Sequence, residues 1–352
     1  MHRQLAPSGS PYPAVAKEGP SNHRVSGCWP RMHPRFTVLC SLILLTAAVL
    51  ACKSKGPNRQ TYDATALAVN GTHTCLLQLD GTPRCFGGDN SVSPPMVPAP
   101  KVALTRIESA IRFACGLRAS DGALTCWGAC NSKAACTPPA GRFDDFALHD
   151  EAGGCAWRHS PRPEVVCWGA GWSGLTSPPG GINALDLKQV VFGPDWAVAL
   201  KSDGTLISWG SSALLADPIL TRAISSGKRV DSIGGRGALL CLIAAGHPEC
   251  ISYWSNQVPP HVSGKALQID AASPRGAIPA CVLSEGGGTR ELRCSKSNKG
   301  KTLGTLRGDI DDIGIGNDHV CVLKRGNRVE CVGDDLYGRV SGRSLGRSTD
   351  WP

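Results

Sequence analysis

Residues 115–128 read CGLRASDGALTCWG. Two cysteines stand either side of an Asp-Gly pair, and the second runs into Trp-Gly. Asp-Gly between two short apolar runs is a hairpin signal, because both residues tolerate the positive φ of a tight two-residue turn. The same arrangement recurs along the chain. It appears as THTCLLQLDGTPRCFG (72–87), GGCAWRHSPRPEVVCWG (153–169), DWAVALKSDGTLISWG (195–210), LLCLIAAGHPECIS (239–252), PACVLSEGGGTRELRCS (279–295) and HVCVLKRGNRVECVG (319–333). The first cysteine falls at 75, 115, 155, 241, 281 and 321, and Ala197 takes its place in the fourth copy. A repeat near forty residues indicates a propeller, solenoid or array.

Each unit reads as β-structure. A short apolar strand, a Gly, Asp or Asn turn and a second strand form a hairpin, and a further strand precedes it, as in ALAVNG (66–71) and IDDIGIG (310–316). Pro94-Pro95, Pro138-Pro139, Pro178-Pro179 and Pro259-Pro260 fall after the hairpins. Proline cannot donate to a strand ladder, so these pairs mark connections between units. No stretch beyond the leader shows capped helical periodicity. Cys75-Leu76-Leu77, Cys281-Val282-Leu283 and Cys321-Val322-Leu323 are apolar on both faces, as strands buried on both sides are. Seven sheets packed face to face around an axis would bury both faces and leave short edges. An open solenoid needs polar end caps, and the first and last copies are no more polar than the rest. The expected fold is an all-β, seven-bladed β-propeller over residues 62–345, with a tether over 52–61 and a tail over 346–352.

The element HTCLLQLDGTPRCFGGDN (73–90) resembles the repeat of the regulator-of-chromosome-condensation family. The repeat length and the Pro-Pro linker are similar to the related bacterial propeller of the secreted β-lactamase inhibitor type. The resemblance covers roughly residues 60–345 and implies the propeller fold. It says little of function, because that family spans a guanine-nucleotide exchange factor, an enzyme inhibitor and many secreted proteins. None of the exchange-factor residues matches a position in this chain.

The chain holds seventeen cysteines. No Cys-x-x-Cys occurs, which argues against a zinc ribbon or a thioredoxin-like motif. The expected bridges are Cys75–Cys85, Cys115–Cys126, Cys155–Cys167, Cys241–Cys250, Cys281–Cys294 and Cys321–Cys331. Residues opposed across an antiparallel pair have Cα atoms roughly 4.5–5.5 Å apart, within reach of a disulfide. The fourth copy lacks both cysteines, with Ala197 and Ser208 in their stead, as paired loss of a bridge requires. Cys130 and Cys136 remain and are expected to clamp the loop between them. Cys28, Cys40 and Cys52 belong to the leader or a lipid anchor. Complete pairing implies an oxidising compartment.

An export signal fits that reading. Residues 1–31 are Pro, Ser and Gly-rich and read as a disordered or wrongly assigned upstream extension, with Met32 the alternative start. Residues 32–51 read as a lipoprotein signal peptide: His33 and Arg35 precede an apolar run, Phe36–Ala51, too short to span a bilayer. The run ends in Val49-Leu50-Ala51-Cys52, which resembles a bacterial lipobox with Cys52 as the lipidated residue. Residues 1–55 carry seven of the Lys/Arg and one acidic residue, so most of the net charge of +9 lies in the leader. The remainder is nearly balanced, which argues against a nucleic-acid surface.

No nucleophile elbow, P-loop, zinc-protease motif or dinucleotide fingerprint is present. Asp309, Asp311, Asp312 and Asp318 lack the spacing of a calcium loop and read as a solvated strand end. His73 and His319 occupy the same repeat position and read as structural hydrogen-bonding groups. Phe86, Trp127, Trp168 and Trp209 follow the second cysteine position and read as packing residues. Trp172, Tyr253, Trp254 and Tyr337 break that pattern in the loops after the hairpins, where large aromatics serve recognition. The expected function is a non-catalytic, envelope-anchored scaffold that binds a protein or glycan through these loops, with no cofactor and no metal. An envelope glycan-active enzyme is the alternative, and guanine-nucleotide exchange is a third reading by fold analogy alone.

Overall fold

In the computed structural model the described residues are 58–340, except 72, 88–98, 131, 171, 181, 228, 253–258, 273–279, 296–304 and 334–339. All belong to one compact unit, Lys55–Pro352. Their strands form seven antiparallel sheets of three or four strands. Each sheet is built on one sequence repeat, and the last also takes in a strand from ahead of the first repeat. The inner strand of each sheet leads into the hairpin seen in the sequence. The inner strands are Ala66–Val69, Leu104–Ser109, Asp145–His149, Leu187–Phe192, Val230–Arg236, Lys265–Ala271 and Ile310–Ile315. Each touches the next, and the last touches the first.

The reason for the doubly apolar hairpin strands is visible in the packing. Seven hydrophobic clusters fill the spaces between consecutive sheets, the seventh joining the last sheet to the first. Each middle strand therefore feeds two clusters. In Trp196–Lys201, Ala197 and Ala199 face the third sheet, while Trp196, Val198 and Leu200 face the fifth. All five are fully buried.

The ring closes through a strand that the polar sequence NRQTYD did not announce. Asn58–Asp63 pairs along its whole length with Arg328–Gly333 of the last sheet. It begins inside the segment expected to be a tether. Arg59 and Lys324 both reach the buried Glu330. Burial would raise the Glu330 carboxyl, but these two cations hold it below its usual range. Tyr62 packs on Phe86 of the first sheet and donates to the Val340 carbonyl.

Six disulfides join directly opposed residues of the hairpins: 75–85, 115–126, 155–167, 241–250, 281–294 and 321–331. Their Cα–Cα distances are 3.9–4.1 Å, shorter than the roughly 4.5–5.5 Å expected of an opposed pair. A seventh bridge joins Cys130 to Cys136 across the connection from the second sheet to the third. The cysteine-free fourth sheet corrects one expectation. Ser208 opposes Val198, and Ala197 opposes Trp209. Val198 therefore stands where the first cysteine would be, because the register is set from the Trp209-Gly210 end of the hairpin.

The Trp-Gly of the opening stretch has a steric explanation. Gly128 and Gly210 sit at φ of +111° and +117°. A Cβ at either would lie 2.6 Å from the Arg112 carbonyl or 2.4 Å from that of Asp195. Only glycine avoids both the strain and the clash. Two tryptophans at this Trp-Gly position lock connections: Trp168 Nε1 donates to the Ala135 carbonyl, and Trp209 Nε1 to that of Leu175, each at 3.0 Å.

The Asp-Gly turns also differ from expectation. Only the glycines take positive φ, at 80° for Gly81, 68° for Gly122 and 87° for Gly204. The aspartates instead accept from the backbone two residues on, at Thr82, Ala123 and Thr205. Turns with two positive φ values occur at Ala245-Gly246, Gly287-Gly288 and Gly326-Asn327. One helix, Pro218–Ser225, was not expected. Asp217 caps it by accepting from the Ile219 N–H, and Leu220 is buried between the fourth and fifth sheets.

Candidate functional site

The inner strands enclose a cavity of about 210 Å³ that all seven sheets line. Its charged residues are Arg106, Lys188 and Arg236 against Glu108, Asp145, Asp150, Asp270 and Asp312. None of these was singled out in the sequence except Asp312, which stands on the cavity wall and not at a solvated strand end. The missed signal is positional. Arg106, Asp145, Gln189, Gln268 and Asp312 are strand-equivalent, because each opposes the residue two beyond the first cysteine position.

The polar side chains tie neighbouring sheets together. Arg106 Nε donates to Asp145 at 2.9 Å, and Gln268 Nε2 to Asp312 at 2.8 Å. Gln189 Nε2 donates to the Ile233 carbonyl of the fifth sheet at 2.8 Å. One residue crosses the ring. Arg236 of the fifth sheet donates to the Val69 carbonyl of the first sheet at 3.2 Å, and its Nε lies 3.5 Å from Asp150 of the third. Asn70 completes this group by donating to Asp150 and to the Ser109 carbonyl.

Glu108 and Asp270 form a repeat-equivalent pair. Each opposes the first cysteine of its own hairpin. Each also accepts an N–H from the next sheet, Glu108 from Leu148 and Asp270 from Ile315. Burial raises Glu108 to about 7, against the pull of Arg106 and Arg236, with Asp145 adding to the rise. Burial likewise raises Asp270 to about 6, opposed by Arg236 and aided by Asp312. Burial, and then Arg236, lowers His73 to about 3, so it stays neutral.

A carboxyl raised on folding contributes stability that is complete below its unfolded pKa and lost as pH climbs through its folded value. For Glu108 that window runs from about 4.5 to about 7. Glu108→Gln removes the loss. Its melting temperature should exceed the parent's by more at pH 8 than at pH 5. Equal differences at the two pH values would contradict the raised carboxyl.

Of the four aromatics expected to bind a partner, Trp172 alone falls among the described residues. Trp172 begins a one-turn 3₁₀ segment, Trp172–Gly174, in the connection from the third sheet to the fourth. Tyr253, Trp254, Tyr337 and Cys52 lie outside the described residues. His319 Nε2 meets Thr74 Oγ1 at 2.9 Å, bridging the last sheet and the first. Asp309 and Asp311 pair with Arg325 and Arg290. Among the described residues no cluster of three metal-binding side chains occurs.

The CRINKLY WD40 ectodomain of the Arabidopsis thaliana receptor kinase ACR4 is similar, with 19% identity and a TM-score of 0.56 over 77% of this chain and 95% of that one. The ectodomain of the Physcomitrella patens receptor kinase CR4 matches at 19% identity and a TM-score of 0.53, over 76% and 72%. The fold is a β-propeller. Yeast RCC1 (Prp20), in its complex with Kap60, matches at 13% identity and a TM-score of 0.49, over 76% and 79%. No family model matches the chain, and no curated protein sequence matches it. Seven disulfides are the chemistry of an oxidising compartment. Among the described residues no helix is long and apolar enough to cross a membrane.

Proposed function

We propose that the chain is a seven-bladed, disulfide-stapled propeller held at the cell envelope, where it binds a protein or glycan and catalyses nothing. The closed succession of seven sheets carries the reading. In a ring, equivalent loops share one rim, so loops distant in sequence can present one surface. The similar ectodomains belong to receptor kinases, which fits a binding role outside the cytosol. Cys52 supplies the lipid anchor, and Cys52→Ala should release the protein from membranes or block its processing. Unchanged retention with normal cleavage would remove the anchor from the reading.

Trp172, Tyr253, Trp254 and Tyr337 supply the partner surface. Large aromatics offer contact area at low rotamer cost, and one true hot spot is worth about 2 kcal/mol or more. Replacing all four with Ala should abolish capture of the partner from envelope extract and leave the melting temperature unchanged. If the variant melts lower while its folded fraction captures normally, the aromatics are blade caps.

A further inference from the structure

We infer that the Cys130–Cys136 bridge is a redox-sensitive clasp: a dithiol reductant opens it ahead of the six hairpin bridges and releases the connection from the second sheet to the third. Three observations carry this. Both of its cysteines are partly exposed, whereas the first cysteine of every hairpin bridge is at most 1% exposed. Each hairpin bridge also lies between strands whose ladder holds its two residues opposed, while Cys130 and Cys136 belong to no strand. Finally, the clasped loop has a weak anchor of its own. Its fully buried residue, Ala135, offers one methyl group and a carbonyl that accepts from Trp168 Nε1. In the next connection the corresponding carbonyl, which accepts from Trp209, belongs to the buried Leu175 of a hydrophobic cluster, and that connection holds no cysteine. The bridge thus stands in for the apolar anchor that a leucine supplies one sheet later.

The exchange chemistry sets the order of opening. A thiolate of the reductant attacks one sulfur of the bridge and expels the other as a thiolate. Apolar burial disfavours the thiolate, so a buried sulfur leaves slowly. In a hairpin, attack on the more accessible cysteine must expel the buried one. The expelled sulfur also stays opposed to the mixed disulfide, where it reverses the attack. In Cys130–Cys136 either sulfur can be attacked, and either can leave into water. The reductant's second thiol then resolves the mixed disulfide. Two electrons and two protons pass to the protein, which gains the thiols of Cys130 and Cys136 as the dithiol becomes a disulfide. The clasp is independent of the partner surface proposed above.

The test treats the purified full-length protein with dithiothreitol, a dithiol, for graded times, traps free thiols with iodoacetamide and maps them by peptide mass spectrometry. Cys130 and Cys136 should be alkylated at least about tenfold faster than any hairpin cysteine. Limited trypsin digestion reads the release, because the exposed Lys133 lies inside the loop. Cleavage after Lys133 should speed up about tenfold or more when that pair alone is reduced, since local opening governs cutting. The variant Cys130→Ser/Cys136→Ser should be cut at the faster rate without reductant and should still melt cooperatively, which separates the clasp from the hairpin bridges. Alkylation of any hairpin pair at an equal or higher rate would overturn the inference. So would a single rate of cleavage after Lys133 in the oxidised parent, the partly reduced parent and the folded Cys130→Ser/Cys136→Ser variant.

Discussion

Reduction of the hairpin disulfides should unfold the protein at room temperature. Six bridges close separate loops, with sequence separations of 9–13 residues. Each contributes roughly 2–3 kcal/mol by restricting the unfolded chain. The loops do not overlap, so the contributions add to a first approximation. Together they match or exceed the roughly 5–15 kcal/mol that stabilises a typical domain. The fourth sheet shows what replaces a bridge: an apolar strand whose Val198 is fully buried opposite Ser208. Cys115→Val with Cys126→Ser should therefore lose about 1 kcal/mol less than Cys115→Ala with Cys126→Ala, through the extra apolar surface buried. Urea unfolding reads both results. A reduced protein that keeps its cooperative transition and midpoint would show that inter-sheet packing alone holds the fold.

Loss of the closing strand should be nearly as damaging. A chain beginning at Ala64 lacks the six-residue pairing between Asn58–Asp63 and Arg328–Gly333. It also lacks the contact of Tyr62 with Phe86 and the Arg59 partner of Glu330. Removing a well-packed aromatic costs about 3–5 kcal/mol, and a buried charge that loses a partner adds about 1–3. At least about 4 kcal/mol is expected, a fall of roughly 8 °C or more in melting temperature for a chain this long. The comparison is with a chain beginning at Lys55. Equal melting temperatures would mean that the last sheet is complete without its outer strand.

Much of the fold was legible because its signals are local. The hairpin cysteines lie close enough in sequence to imply opposition, and the apolar runs imply burial on both faces. What escaped was non-local or concealed by composition. NRQTYD does not alternate, because an outer strand faces water and pairs with a strand some 270 residues away. The short helix carried its own start signal in Asp217-Pro218, but eight residues, about two turns, of periodicity do not stand out. The cavity was hidden because its residues are single polar positions within mostly apolar strands. They form a set only when the strands are superposed on their cysteine partners. Glu108, Asp270 and Asp312 converge from the strands themselves and not from the loops between repeats.

The strand Asn58–Asp63 opens the folded unit, yet its only sheet lies at the far end. Every other strand pairs within its own repeat as it is made, so six sheets can assemble in order. The first strand made must wait, unpaired, until the last hairpin exists. An unfinished chain therefore carries two open edges, one at each end of the arc, each a template for the wrong neighbour. Closure converts a series of independent hairpins into a single object, and it is a step with high contact order. A second copy of the chain at high concentration competes for that step by lending its own Asn58–Asp63 to the open last sheet.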